Sequence, residues 1–290
     1  MKRVTPEELR QIVARYRQQL AEANGHTAQI AERINRKIDR MIARLLARGD
    51  FELTLANYSA LIAAIRKVIA GGQPELVRAL EDHSVKVSAL SLSQTAATSA
   101  AMYGALPRRA LEVFGAFEQS IASRQILRVT APYLDRWAAE WSAEWERTVR
   151  SVQAAFTQAV VTGQSPKALV AGLVDDLGAL QINGRMDPAL FAEAFVRTKA
   201  TELYSDLSIR VAHESGISDF ISIGVPDDRQ SEICHDASNA GAHSLDWWAS
   251  SQFGLPPRHV LNCRCSMVGV LDPEADWSQP NPKFETAAAV

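Results

Sequence analysis

Pro256-Pro257-Arg258-His259-Val260-Leu261-Asn262-Cys263-Arg264-Cys265 runs directly into Ser266-Met267-Val268-Gly269-Val270-Leu271. The first stretch gathers a histidine and two of the chain's three cysteines within ten residues. The second alternates apolar and small residues, as a strand does when its faces differ. Upstream, Phe220-Ile221-Ser222-Ile223-Gly224-Val225 shows the same alternation. The two segments are expected to pair, with the cysteine-bearing loop between them. The third cysteine, Cys234, lies in that loop beside His235, behind Asp227-Asp228-Arg229.

Thiolate and imidazole side chains bind borderline-soft metals, and four such groups close a tetrahedral zinc shell. Cys234, His259, Cys263 and Cys265 make up such a set. A closed shell keeps no position for water, so zinc held there would be structural and not catalytic. The same residues also allow buried thiols, or a disulfide from Cys234 to Cys263 or Cys265. A Cys-His nucleophile, with His259 as base, would need an orienting third group and an oxyanion hole, and no recognisable spacing supplies them.

Everything before residue 217 reads as helix. Thr5-Pro6-Glu7-Glu8 is a capping box with proline at the first helical position. Leu9, Ile12, Val13, Tyr16 and Leu20 follow at helical spacing, and Asn24-Gly25 is expected to end the run. A second helix is expected from Thr27. It carries Ile30, Ile34, Ile38, Met41, Ile42 and Leu45 on one stripe and Arg33, Arg36, Lys37, Arg40, Arg44 and Arg48 opposite. A third would end at Gly71-Gly72 and a fourth follow Pro74. Residues 84 to 106 are rich in Ser, Ala and Thr, and fit either a connector or a small-residue helix packed closely on a neighbour. Further helices are expected after Pro107, Pro132, Ser165-Pro166 and Asp187-Pro188, the last ending at Gly216. Trp137, Trp141 and Trp145 form a row at helical spacing, which composition favours as a buried packing face.

The Cys/His stretch also carries a resemblance. An acidic-Arg segment leading into a cysteine, then Pro-Pro-x-His-x-x-x-Cys-Arg-Cys before a short apolar strand, resembles the C-terminal domain of the Mu protein F-like family. These are minor head, or head morphogenesis, proteins of tailed bacteriophages. Ser231 stands where the family pattern has its first cysteine, and Lys199 follows Arg197-Thr198 where an acidic residue is usual. The resemblance covers residues 130 to 270 and includes Gly163-Gln164-Ser165-Pro166. It implies a non-enzymatic virion structural protein, made in the host cytoplasm and built into the phage head. It also implies association with the portal protein and other head proteins, in head assembly or genome delivery.

Composition bounds the alternatives. The 290 residues are 47% hydrophobic and 22% charged, as in an ordinary globular protein. No apolar run approaches the ~18–20 residues of a membrane span. An odd, low cysteine count argues against a secreted disulfide framework. The net charge of −2 hides an asymmetry. Residues 1 to 50 hold eleven Lys and Arg against six Asp and Glu, a net +5, and the remainder holds twenty against twenty-seven, a net −7. The basic N-terminal helices fit a solvated helix face, and also offer a second functional reading as an internal or ejected head protein touching DNA. A third reading, a metal- or thiol-dependent enzyme, rests on the Cys/His set alone.

The expected fold is mainly α with a small α+β C-terminal domain: a helical bundle, long connecting helices, and a two- or three-stranded sheet bearing the Cys/His loop. The expected division is 1–130 for the bundle, 131–216 for the long helices, 217–271 for the Cys/His domain and 272–290 for an extended tail. That tail, with Pro273, Trp277, Pro280, Pro282 and Phe284, fits either a segment that docks on a neighbouring virion protein, the portal first, or a disordered end.

Overall fold

The computed structural model describes residues 5–47, 55–103, 108–162, 188–224, 230–256 and 265–270. His259, Cys263, the helix expected after Ser165-Pro166 and the tail lie outside the described residues. The fold is mainly helical with a small three-stranded antiparallel sheet near the C-terminus. Its elements are α1 (Pro6–Ala47), α2 (Leu55–Tyr103), α3 (Arg108–Ala122), α4 (Ile126–Thr162), α5 (Pro188–Glu214), β1 (Asp219–Ile223), α6 (Glu232–Asn239), β2 (His243–Ser244), α7 (Leu245–Ser250) and β3 (Ser266–Val270).

The capping box forms as the sequence requires. Glu8 N–H donates to Thr5 Oγ1 at 3.1 Å, and Thr5 N–H donates to Glu8 Oε2 at 2.9 Å. The expected breaks do not form. Asn24-Gly25 lies inside α1, while Gly71-Gly72 and Pro74 lie inside α2. A glycine costs a helix only about 1 kcal/mol, less than the burial of Leu20, Ala28, Ala31 and Ile34 on one continuous stripe returns. Gly72 has its own reason to be small: a Cβ there would sit 2.8 Å from Ile38 Cδ1. The Ser/Ala/Thr-rich stretch is helical as far as Tyr103. Some of its buried hydroxyls are satisfied within the helix, Ser88 on the Ser84 carbonyl at 2.7 Å and Thr95 on the Ser91 carbonyl at 2.9 Å.

Contacts divide the chain into two compact units, which cut across the consecutive stretches expected above. One comprises residues 1–25, 82–130 and 194–290, the other 26–81 and 131–193. Segments far apart in sequence share a core, which a division made along the chain cannot show.

The second unit is a helical core from α1, α2 and α4. Ile34, Ile38 and Ile42 are buried on α1, Leu61, Ile65, Leu76 and Leu80 on α2, and Val149, Val152 and Phe156 on α4. Trp137, Trp141 and Trp145 are fully buried, as a packing face should be. Trp141 Nε1 donates to Asn35 Oδ1 at 3.2 Å, and its ring meets that of Trp145 edge-on at 6.0 Å. Tyr58 meets Phe156 and Arg66 meets Glu146, so α2 and α4 run antiparallel. The Arg66 bonds hold the Glu146 carboxyl below its ordinary range.

The first unit holds the sheet, in strand order β2-β1-β3. β1 and β3 pair as expected, and do so antiparallel, with Ile221 opposite Val268 and Ser222 opposite Met267. One face of the sheet, Ile221, Ile223, Val268 and Val270, packs on Leu9 and Val13 of α1. The other, with Phe220 and Met267, packs on Ala212, Ile217, Ala237 and Trp248. Both faces of the β1–β3 pair are covered, so Phe220–Ile223 and all of β3 are buried, while β2 at the edge stays half-buried to exposed. In the same unit, α2 and α5 meet through a polar seam. Ser91 Oγ lies 2.8 Å from Ser208 Oγ, and the Tyr204 hydroxyl donates to Gln94 Oε1 at 2.6 Å. Burial pushes the Tyr204 phenol well above its ordinary pKa, with nearby Arg17 opposing the shift.

Gly216, at φ +92°, ends α5 where the sequence places the stop. Ile217 N–H donates to the Ala212 carbonyl at 3.1 Å and Gly216 N–H to that of His213 at 2.9 Å, the two bonds of a Schellman motif. The motif seats directly on β3, because a Cβ at Gly269 would fall 2.7 Å from Ile217 Cγ2 and 3.2 Å from Ala212 Cβ. Gly269→Val is therefore expected to destabilise the protein by about 1–3 kcal/mol through overpacking. A denaturation midpoint unchanged from wild type would show that the cap does not press on the strand.

Candidate functional site

Of the four sequence-predicted ligands, the structure places two, and it brings them together. Cys234 and Cys265 are both buried thiols and pack against each other, with Ile233 alongside. Each is positioned by a different element. Cys265 immediately precedes β3, whose register puts it on the same sheet face as Met267 and opposite Gly224. Cys234 sits in the first turn of α6, after the N-terminal flanking residue Ser231. The positive end of a helix favours a thiolate over a thiol, so this placement suits a metal ligand or reactive sulfur.

His235, next in sequence, takes no part in that pairing. Its ring nitrogens lie 3.2 Å from Asp236 Oδ1 and 3.2 Å from Asn239 Nδ2, both on α6 itself. Among the described residues no group of three His, Cys, Asp or Glu side chains is placed to hold a metal ion. The set of four is thus half placed, its other half being His259 and Cys263.

The backbone around the thiols is tightly organised. Ser238 Oγ donates to the Cys234 carbonyl at 2.8 Å and accepts from Gly224 N–H at 2.9 Å. Gly224 must be glycine here: a Cβ would lie 2.2 Å from Gln230 Nε2 and 2.7 Å from Ser238 Oγ. On the far side of the strand pair, Arg17 of α1 donates from Nη1 to the Gly224 carbonyl at 2.7 Å, from Nη2 to the Ile223 carbonyl, and from Nε to Ser266 Oγ at 3.4 Å. The sequence reading missed Arg17, Gly224 and Ser238. Gly224, a small residue at the end of an alternating strand, is the one a sequence signal could have marked.

The other feature singled out in the sequence is the basic side of α1. Arg33, Arg36, Lys37, Arg40 and Arg44 are exposed there. Glu32 pairs with Arg36 at 2.5 Å and Glu75 with Lys37 at 3.6 Å. Among the described residues no helix is long and apolar enough to cross a membrane.

No protein-family model, curated protein or solved structure matches this chain.

Proposed function

We propose that this chain is a minor head protein of a tailed bacteriophage, similar to the Mu protein F-like family. In this reading it is a non-enzymatic structural component of the virion, made in the host cytoplasm and associated with the portal protein. The supporting observation is the meeting of Cys234 and Cys265 at the end of a small sheet, in an otherwise helical chain. Thiols from the two ends of the quoted motif converge there, as a site built by that motif requires. A structural zinc held by Cys234, His259, Cys263 and Cys265 belongs to the same proposal. It would join α6 to the strand where the sheet is only three strands wide.

Two measurements test these statements separately. Protein purified without chelator is expected to contain close to one equivalent of zinc. Less than about a tenth of an equivalent, with all cysteines reactive, would remove the metal from the proposal. An image of the purified particle is expected to show this chain at the portal vertex. A particle lacking it would remove the virion role.

A second reading is favoured by the exposed cations of α1: contact with packaged DNA. Each phosphate neutralised adds about 0.9 to the salt slope, so three contacts predict a roughly forty-fold loss of affinity between 50 and 200 mM salt. Anisotropy with a short duplex measures this. Arg33→Glu combined with Arg40→Glu should abolish the binding, and binding that ignores both salt and substitution would exclude this face.

A further inference from the structure

A short run of hydrogen bonds joins the thiol pair to the N-terminal helix. The Cys234 carbonyl accepts from Ser238 Oγ at 2.8 Å, Ser238 Oγ accepts from Gly224 N–H at 2.9 Å, and the Gly224 carbonyl accepts from Arg17 Nη1 at 2.7 Å. A second branch is shorter: Arg17 Nε donates to Ser266 Oγ at 3.4 Å, and Ser266 is bonded to Cys265. The run has no slack at Gly224, where even a methyl group would collide with Ser238 and Gln230. A guanidinium is a planar fork with fixed donor directions, so Arg17 ties its helix to one geometry of the strand ends. Leu9 and Val13 of the same helix complete the docking by filling the sheet face between Ile221 and Val270.

The strand ends are thus gripped from two sides, by Arg17 on one and by the Cys234-bearing helix on the other. We propose that occupancy of the Cys234–Cys265 pair and docking of the first turns of α1 are one coupled equilibrium. A soft divalent cation held by the thiols tightens the helix on the sheet, and loosening the helix opens the thiols. Coupling between two binding equilibria is reciprocal, so each must change the other by the same factor. The identity of the cation rests on the metal reading above; the coupling rests on the hydrogen bonds and packing.

The test uses the full chain. Maleimide labelling of Cys234 and Cys265, mapped by peptide mass, is compared between wild type and Arg17→Ala, with Arg17→Lys as the conservative variant that keeps the charge and loses the fork. Both variants are expected to label about tenfold faster at both cysteines. Amide exchange along α5, which reports opening of the whole unit, should move by less than about twofold. Labelling that is unchanged, or that rises only in step with α5 exchange, overturns the proposal. In a second arm, zinc alone is added to wild type. Exchange of amides from Leu9 to Leu20 is expected to slow at saturating zinc, and Arg17→Ala to weaken zinc binding, the two directions that one coupled equilibrium requires. Zinc that binds without slowing these amides also overturns the coupling. A chain that takes up no zinc removes the metal reading instead, and the labelling arm then decides the coupling by itself.

Discussion

Replacing Trp141 with alanine is expected to cost about 3–5 kcal/mol from lost packing, the largest effect of any single substitution considered for this chain. The indole is fully buried, sits edge-on to Trp145 at 6.0 Å and donates to Asn35 at 3.2 Å. Truncation also leaves the buried Asn35 carbonyl without that donor, adding about 1–3 kcal/mol. Domains are stable by only about 5–15 kcal/mol, so the helical unit should lose most or all of its cooperative unfolding. Trp141→Phe keeps much of the ring and should cost clearly less. Denaturant titration followed by far-UV dichroism measures both, with amide exchange in residues 26–81 locating the loss. A Trp141→Ala shift under about 1 kcal/mol would contradict the packing role.

The second large effect depends on pH and on Tyr204. Its hydroxyl is buried and donates to Gln94 at 2.6 Å, and burial raises its pKa above the unfolded value. The neutral phenol is thus favoured in the folded state. Its contribution is complete below about pH 10, where both states are protonated, and falls as pH rises above that value. There the unfolded chain ionises and the folded one resists, at a slope of about 1.4 kcal/mol per pH unit. Tyr204→Phe removes this dependence but leaves Gln94 Oε1 without its donor, at about 1–3 kcal/mol near neutrality. The stability gap between wild type and variant should therefore narrow steadily above about pH 10. Taking the difference cancels the other titrating groups common to both proteins. A gap that stays constant to about pH 11.5 would show that Tyr204 ionises as freely folded as unfolded.

Much of the architecture was legible because it is written in local patterns. The capping box at Thr5, the stop at Gly216 and the pairing of the two alternating segments each depend on a few neighbouring residues. The readings that failed used local signals where distant packing decides. Asn24-Gly25, Gly71-Gly72 and Pro74 look like breaks, but about 1 kcal/mol per glycine and about 3 kcal/mol for the proline are outweighed by the burial of apolar residues on either side, Ile65, Ile69, Leu76 and Leu80 around Pro74 among them. Gly72 shows the point most directly, since its smallness serves Ile38 and not a turn. The candidate site divides in the same way. Cysteines are rare enough to be noticed in sequence, and Cys234 and Cys265 do meet. Arg17 is one of several arginines in a helix, and its acceptors are main-chain carbonyls more than two hundred positions away. No residue type marks such an acceptor.

That separation bears on how the protein is born. Leu9 and Val13 find their sheet partners at Ile221, Ile223, Val268 and Val270, near the other end of the chain. At a translation rate of about 5–20 residues per second, on the order of 10–50 s pass between synthesis of the first helix and of the last strand. During that interval an amphipathic nascent segment, with its arginine fork unsatisfied, waits on the ribosome's outer surface for acceptors not yet made. High contact order of this kind slows folding and exposes apolar surface to the wrong neighbours. Early contact with a chaperone or an assembly partner would therefore meet the N-terminal helix before the sheet can claim it.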